Sequence, residues 1–259
     1  MKKTTLALLA TAALSFHTSA TVVEIRTNMG TITVNLFDED TPKSVENFLE
    51  YVTSGAYANN VVHRLEPSFV IQAGGFSYHN ALPLDVVATG TPVINEPELS
   101  NVRGTIAMAK QGGNANSATS QWFINLKDNS ANLDVQNGGF TVFGQVIGDG
   151  MDVVDAISAL PRFNMGGAAS SIPLRNYTAE DGSNGKDPTD ENFVLITDIV
   201  VTDASTVTNP DLNPKPNTLI KATSPSNGSS SGGSINPLVL FLLAAGAAWA
   251  RRCNWLAKR

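Results

Sequence analysis

The sequence predicts a mainly β domain whose many short antiparallel strands close into a barrel under two covering helices. Three observations predict it. Segments of alternating or β-branched residues recur between residues 22 and 201, separated by stretches rich in Gly, Asn, Ser and Pro. Only two stretches show helical spacing. Closure of the sheet follows because a barrel leaves no unpaired strand edge.

In chain order, TVVEIRT and GTITVNLF read as strands joined through Asn28-Met29-Gly30 in a hairpin-type turn. Thr41 is placed to cap a helix with Pro42 at its first position. Val45, Phe48, Leu49 and Val52 then recur at helical spacing until Gly55 stops it. Strands follow at 61–66, 69–73, 104–110, 120–126 and 141–147. A second helix fits 150–159, where Met151, Val154 and Ile157 recur at spacing three, and FVLITDIVV at 193–201 supplies the closing strand. The polar, Gly-rich stretch from Arg162 to Asp190 reads as a surface insertion.

Both ends have a composition of their own. MKKTTLALLATAALSFHTSA carries two lysines, an apolar run and small residues before position 21, the pattern of a secretory signal peptide over 1–20. The domain is read as 21–204. Residues 205–234 lack the apolar content to fold and read as an extended, flexible linker. Ile235 to Ala250 is almost wholly apolar and is followed by Arg251, Arg252, Lys258 and Arg259. This 235–259 segment is a short membrane anchor with its basic flank in the cytoplasm, or a sorting signal removed after export.

Charge and chemistry-bearing residues narrow the function. The chain holds 23 Asp and Glu against 17 Lys and Arg, a formal charge of −6. Several of the basic residues lie at the termini, so the domain itself is more acidic still. Such a surface repels phosphate backbones, which excludes nucleic acid as a partner. The only cysteine is Cys253, so the domain has neither disulfide nor thiol chemistry. His63 and His79 are the only histidines after residue 20, and no spacing with Cys, Asp or Glu suggests zinc. No G-x-S-x-G elbow is present. Gly74-Gly75 and Gly112-Gly113 read as turns, since neither opens a phosphate-binding helix. Nothing requires a metal or organic cofactor.

VVHRLEPSFVIQAGG at 61–75, RGTIAMAK at 103–110 and SATSQWFINL at 117–126 together resemble the active-site face of the cyclophilins, the peptidyl-prolyl cis-trans isomerases. The resemblance extends from about Val22 to about Thr202. It implies a closed eight-stranded antiparallel barrel capped at each end by a helix. Arg64 resembles the catalytic arginine of the family's F-H-R motif, with Val62 in place of Phe, and Gln72 matches the glutamine of the following strand, a donor for the substrate carbonyl. Phe69, Val70, Phe123 and Leu133 match the proline pocket, Val70 replacing the usual Met. Ala109 and Gln121 match the neighbouring peptide subsite, and Phe140 stands where His or Tyr is common. Lys110 and Gln111 depart from the Asn-Ala of many members. Asn132 replaces a bulky aromatic that supports cyclosporin binding, which implies weak inhibition. His63 alternates away from Arg64 along a strand and reads as structural.

This inventory suits an isomerase. Rotation about an X-Pro bond breaks no covalent bond, so neither nucleophile nor general base is needed. The resemblance implies transient proline-containing polypeptides as partners, with a non-catalytic proline-peptide binding module as the alternative. In a third reading the tail and the 162–190 insertion carry the biology. The C-terminal pattern also resembles a GlyGly-type sorting signal of Gram-negative bacteria. Export then involves signal peptidase and a rhomboid-like protease, with membrane contact through 235–250 before processing and a destination in the periplasm, in the envelope or outside the cell.

Overall fold

The computed structural model describes residues 21–205, 208, 209 and 211–222. The signal-peptide and 235–259 readings lie outside the described residues. Among those described, no helix is long and apolar enough to cross a membrane.

The chain opens with β1 (Val22–Thr27), β2 (Gly30–Leu36) and helix α1 (Pro42–Thr53), followed by β3 (Asn60–Val61), β4 (Arg64–Glu66), β5 (Val70–Ala73), β6 (Phe76–Ser77) and β7 (Asp85–Val86). Strands β8 (Thr105–Met108) and β9 (Trp122–Asn125) precede the single turn α2 (Ser130–Leu133), strand β10 (Val142–Ile147) and helix α3 (Gly150–Ser158). Then come β11 (Arg162–Phe163), β12 (Ile172–Pro173), α4 (Ala179–Ser183), β13 (Leu195–Asp203) and α5 (Leu219–Ala222). The long strands and both main helices fall where pattern and caps predict them. The two-residue strands were missed because a period of two cannot show in two residues.

The strands form one curled antiparallel sheet in the order β4-β5-β9-β8-β10-β2-β1-β13-β3-β6-β7, beside a separate β11-β12 pair. This corrects the expected closed eight-stranded barrel: the ladder has eleven strands and an open order. The predicted single strand at 61–66 is split, because the chain changes partners at its middle. Val62 donates its N–H to Val194 at 3.0 Å and His63 donates to Gln72 at 3.1 Å.

Alternation assigns the two faces. Leu65, Ile71, Ile124 and Ile106 are successive cross-strand partners and point into the main core with Phe48, Tyr57, Trp122 and Phe143. Each such side chain, fully buried, contributes about 1.5–3 kcal/mol. Helix α1 covers this core with Val45, Phe48, Tyr51 and Val52, and Phe48 meets Phe143 at 5.0 Å between ring centroids. Gly55, at φ 71°, ends the helix in a conformation that side chains disfavour. Thr41 occupies the N-cap position but makes no capping bond with its side chain. The Glu96 carboxylate does so instead, accepting from Lys43 N at 3.2 Å and from Ser44 N and Oγ at 2.8 Å.

Two segments differ from their composition. Residues 162–190 lie at the surface yet bury Ala169, Ile172, Leu174 and Tyr177 in a small core with Val61, Tyr78, Leu84 and Phe193. The described part of 208–222 is docked on the domain: Ser100 N donates to Lys215 O at 2.8 Å and Asn217 N to Glu98 O at 2.7 Å. Backbone hydrogen bonds hold it where apolar content is low.

Candidate active site

The opposite face of the sheet collects the residues singled out by the sequence. Arg64 pairs with Gln72, Gln72 with Phe123, Phe123 with Ala107 and Ala107 with Val142, so one row crosses five strands from a cation to an apolar patch. Residues two positions along each strand share this face. Val70, Ala109 and Gln121 therefore join Gln72 and Phe123. Val70, Ala109, Phe123, Leu133 and Phe140 form one buried cluster with Phe37, Leu99, Ala107 and Val142, and Phe69 and Leu212 pack on it partly exposed. Phe123 meets Phe140 edge-on at 5.8 Å. Every apolar residue predicted for the pocket is thus in one place. Val70, Ala109, Phe123, Leu133 and Phe140 are buried, and Phe69 is partly exposed beside them.

At the polar end, the Arg64 side chain is 16% exposed and lies 3.5 Å from Glu66 Oε1. Its Nη1 donates to Gln72 Oε1 at 3.3 Å. Burial pulls the guanidinium below its ordinary pKa and Glu66 opposes the shift; arginine remains a cation throughout. A guanidinium has only donors, so Gln72 must turn its oxygen toward Arg64. Its Nε2 then faces away and donates to Gln121 Oε1 at 2.8 Å. This differs from the expectation that the Gln72 N–H is offered to a substrate carbonyl. The Gln121 amide in turn lies near His63, whose buried Nδ1 has no hydrogen-bond partner among the described residues. That histidine is buried and stacks edge-on to Phe76 at 4.9 Å. Burial, outweighing the opposing influence of the Val61 backbone and the Gln121 amide, lowers its pKa to about 3. The hydrogen-bonded chain Arg64–Gln72–Gln121 runs from the partly exposed cation to an amide beside the buried, neutral His63 ring.

Three supporting features escaped sequence reading. A Cβ on Gly75 would sit 2.7 Å from the Gln121 amide, so the glycine clears the slot in which Gln121 lies. The Gly-Gly pair is visible in the sequence, where its composition signals only a turn. Below the pocket, the buried Asp134 carboxylate accepts from Ser100 Oγ at 2.6 Å, Asn101 N at 2.7 Å and Asn101 Nδ2 at 3.1 Å. Asn101 Nδ2 also donates to Phe140 O at 3.0 Å, and Asn129 Nδ2 to Phe69 O at 2.9 Å, which ties both rings' backbones to the network. Lys110 is 1% exposed and lies 4.8 Å from the Phe140 ring centroid. It donates to Asn95 Oδ1 at 3.1 Å and to the carbonyls of Asn137 and Gly139 at 2.9 and 2.5 Å, while burial lowers its pKa to about 8.

Such a face, a fixed cation beside an apolar floor with no nucleophile between them, fits a reaction without covalent chemistry. A family model described as cyclophilin type peptidyl-prolyl cis-trans isomerase/CLD matches residues 22–179. The chain belongs to the cyclophilin family. It is a peptidyl-prolyl cis-trans isomerase. This cyclophilin is 43% identical over 157 residues to a peptidyl-prolyl cis-trans isomerase of Acinetobacter baylyi, covering 59% of this chain and 80% of that one. It is 41% identical over 145 residues to peptidyl-prolyl cis-trans isomerase B of Escherichia coli, covering 54% and 85%. Among solved structures it resembles a cyclophilin type isomerase of Cryptosporidium parvum, at 26% identity and TM-score 0.51, over 71% of this chain and 98% of that one. The same Cryptosporidium protein was also solved in the presence of the dipeptide Ala-Pro, matched over 70% and 99%.

Proposed function

We propose that this cyclophilin speeds cis/trans exchange at X-Pro bonds of exported polypeptides, with Arg64 stabilising the twisted amide and the Phe69, Val70, Phe123, Leu133 and Phe140 cluster receiving the proline ring. Unaided rotation faces a barrier of about 18–20 kcal/mol and takes tens to hundreds of seconds. Only interactions stronger in the twisted state than in the planar one lower that barrier. As the amide twists, the proline nitrogen loses conjugation and regains a lone pair. A preoriented cationic donor beside it gains strength at that moment, the more so where water is scarce.

The observation that carries this reading is the row Arg64, Gln72, Phe123. It sets a half-buried guanidinium, held by two acceptors, one strand away from Gln72 and two from the pocket floor. Gln72 then acts as a positioning residue, and Ala109 and Gln121 edge the groove for the substrate backbone. Export is supported by the signal-like residues 1–20 and by the apolar, Arg-flanked end of the chain. On that reading the transient partners are proline-containing envelope or secreted proteins. Signal peptidase and a rhomboid-like protease process the ends, and 235–250 contacts the membrane beforehand.

The test is the cis-to-trans rate of a short X-Pro peptide with the full chain and with Arg64→Ala of matched folding. Acceleration that collapses in the variant is expected. An unchanged rate in a folded variant removes the arginine from the mechanism. The mass of the protein recovered from cells tests processing: a chain intact at both ends overturns it.

A further inference from the structure

Beyond the pocket, the segment 162–190 encloses a second concavity. Together with the turn at Leu82 and Pro83, it forms a cleft of about 760 Å³, large enough to hold side chains of a peptide. Its walls are largely apolar. Leu82, Pro83, Phe163, Met165 and Tyr177 line it, with Phe163 and Tyr177 edge-on at 5.0 Å. Leu82, Phe163 and Met165 keep part of their surface in water while packing on the small core beneath. Clustered apolar surface left open in this way favours an apolar occupant.

The cleft is physically continuous with the active-site edge. Arg162 lines it, and its Nη1 lies 3.7 Å from Glu66, the same carboxylate that is 3.5 Å from Arg64. The segment is also stitched to that edge strand. Ser171 bridges Arg64 in parallel, its carbonyl accepts from Leu65 N at 2.7 Å, and its Oγ donates to Leu65 O at 2.6 Å. A polypeptide held at Arg64 therefore has a neighbouring apolar site within reach, since about six extended residues span about 20 Å.

We propose that this cleft is an extended substrate subsite, which takes an aromatic or long aliphatic side chain a few residues away from the isomerised proline in the same polypeptide. The proposal rests on the placement of the proline beside Arg64 argued above. Anchoring a remote part of the substrate selects among proline-containing chains without altering the chemistry at the amide. Specificity of this kind resides in the 162–190 segment rather than in the pocket.

Gly182 provides the probe. It lines the cleft, and a Cβ there would lie 3.7 Å from Tyr177 Cε1, in ordinary contact. Gly182→Leu narrows the cleft beside Tyr177 without backbone strain. Met165→Gln, at a half-buried wall position, serves if the first variant does not fold. With the full chain, the dissociation constants of fluorescein-labelled peptides are measured by anisotropy: a short Ala-Pro core, the core with six more residues containing one Phe on either side, and the same extensions with Ser for Phe. One Phe extension should tighten binding about tenfold over the core, its Ser version should not, and the cleft variant should lose the gain. Absence of a gain with either extension, or a gain that survives in the folded cleft variant, overturns the proposal. Isomerisation of the core peptide by Arg64→Ala is followed in parallel. If its rate is unaffected while the cleft-dependent gain persists, the placement of the proline fails and the cleft remains a peptide site.

Discussion

Arg64 and Gln72 face each other as partners on adjacent antiparallel strands, and the guanidinium Nη1 donates to the glutamine oxygen at 3.3 Å. That contact fixes the amide's orientation, and the Gln72 amide in turn donates to Gln121 at 2.8 Å. Glu66, two residues along the same strand, holds the guanidinium from another side. The arginine is thus ordered before any peptide arrives.

Arg64→Lys is expected to lose isomerase activity although the charge is kept. An ammonium cannot hold Gln72 and Glu66 with the planar fork that these acceptors now grip. A drop in kcat/KM of about a hundredfold, the scale of losing one preoriented donor, should appear in a peptide assay. Retained activity would show that charge alone suffices.

Gln72→Leu removes the orienting amide and leaves Arg64 in place. Activity should fall about tenfold, less than with loss of the arginine, because a long hydrogen bond to a charged group, 3.3 Å here, sits at the low end of such bonds, about 1.5 kcal/mol, and Glu66 remains. Equal losses in the two variants would give the glutamine a direct part in the reaction.

His63 gives the fold an acid-sensitive window. Its folded pKa is about 3, lowered from 6.5 chiefly by burial, so between those values the unfolded chain binds the extra proton. Stability is complete above about pH 6.5 and falls as pH drops toward 3, at up to about 1.4 kcal/mol per unit. Denaturant midpoints of a folded His63→Gln variant should be flatter across this range. Parallel curves for variant and parent would assign acid sensitivity to other groups.

Glu96→Ala should cost about 1 kcal/mol, the usual worth of an N-cap, since it strips two backbone N–H groups at the start of α1 of their carboxylate. Thr41→Val should cost less, because its hydroxyl contacts Phe37 O at 3.3 Å rather than the helix. Urea unfolding of both variants checks the order, and a larger loss for Thr41 would contradict it.

Asp134→Ala should be the most damaging of these changes to stability. It leaves the donors of Ser100 and Asn101 unsatisfied inside the protein, at a cost of about 3 kcal/mol. Because Asn101 also holds the Phe140 carbonyl, KM for proline peptides should rise along with the loss. A stable variant with unchanged KM would sever this network from the pocket.

By itself the sequence determined most local elements and named the residues that the sheet gathers on one face. Alternation or β-branched apolar runs located the long strands, and a period of 3.6 located the helices α1 and α3, each of which has one apolar side; β5, β8 and β9 are buried on both faces. The resemblance to the cyclophilins grouped Arg64, Gln72 and Phe123, and the cross-strand register sets them on one face of neighbouring strands. Only the tertiary structure decided the rest, because those features join residues far apart in the chain. Glu96 caps a helix begun over fifty residues earlier, Gly75 is small for the sake of Gln121, and Val62 and His63 divide their backbone bonds between two strands and so open the ladder. The 162–190 segment looked polar because its few apolar residues have no periodicity; they acquire a core only against Val61, Tyr78 and Phe193, which the fold brings to them.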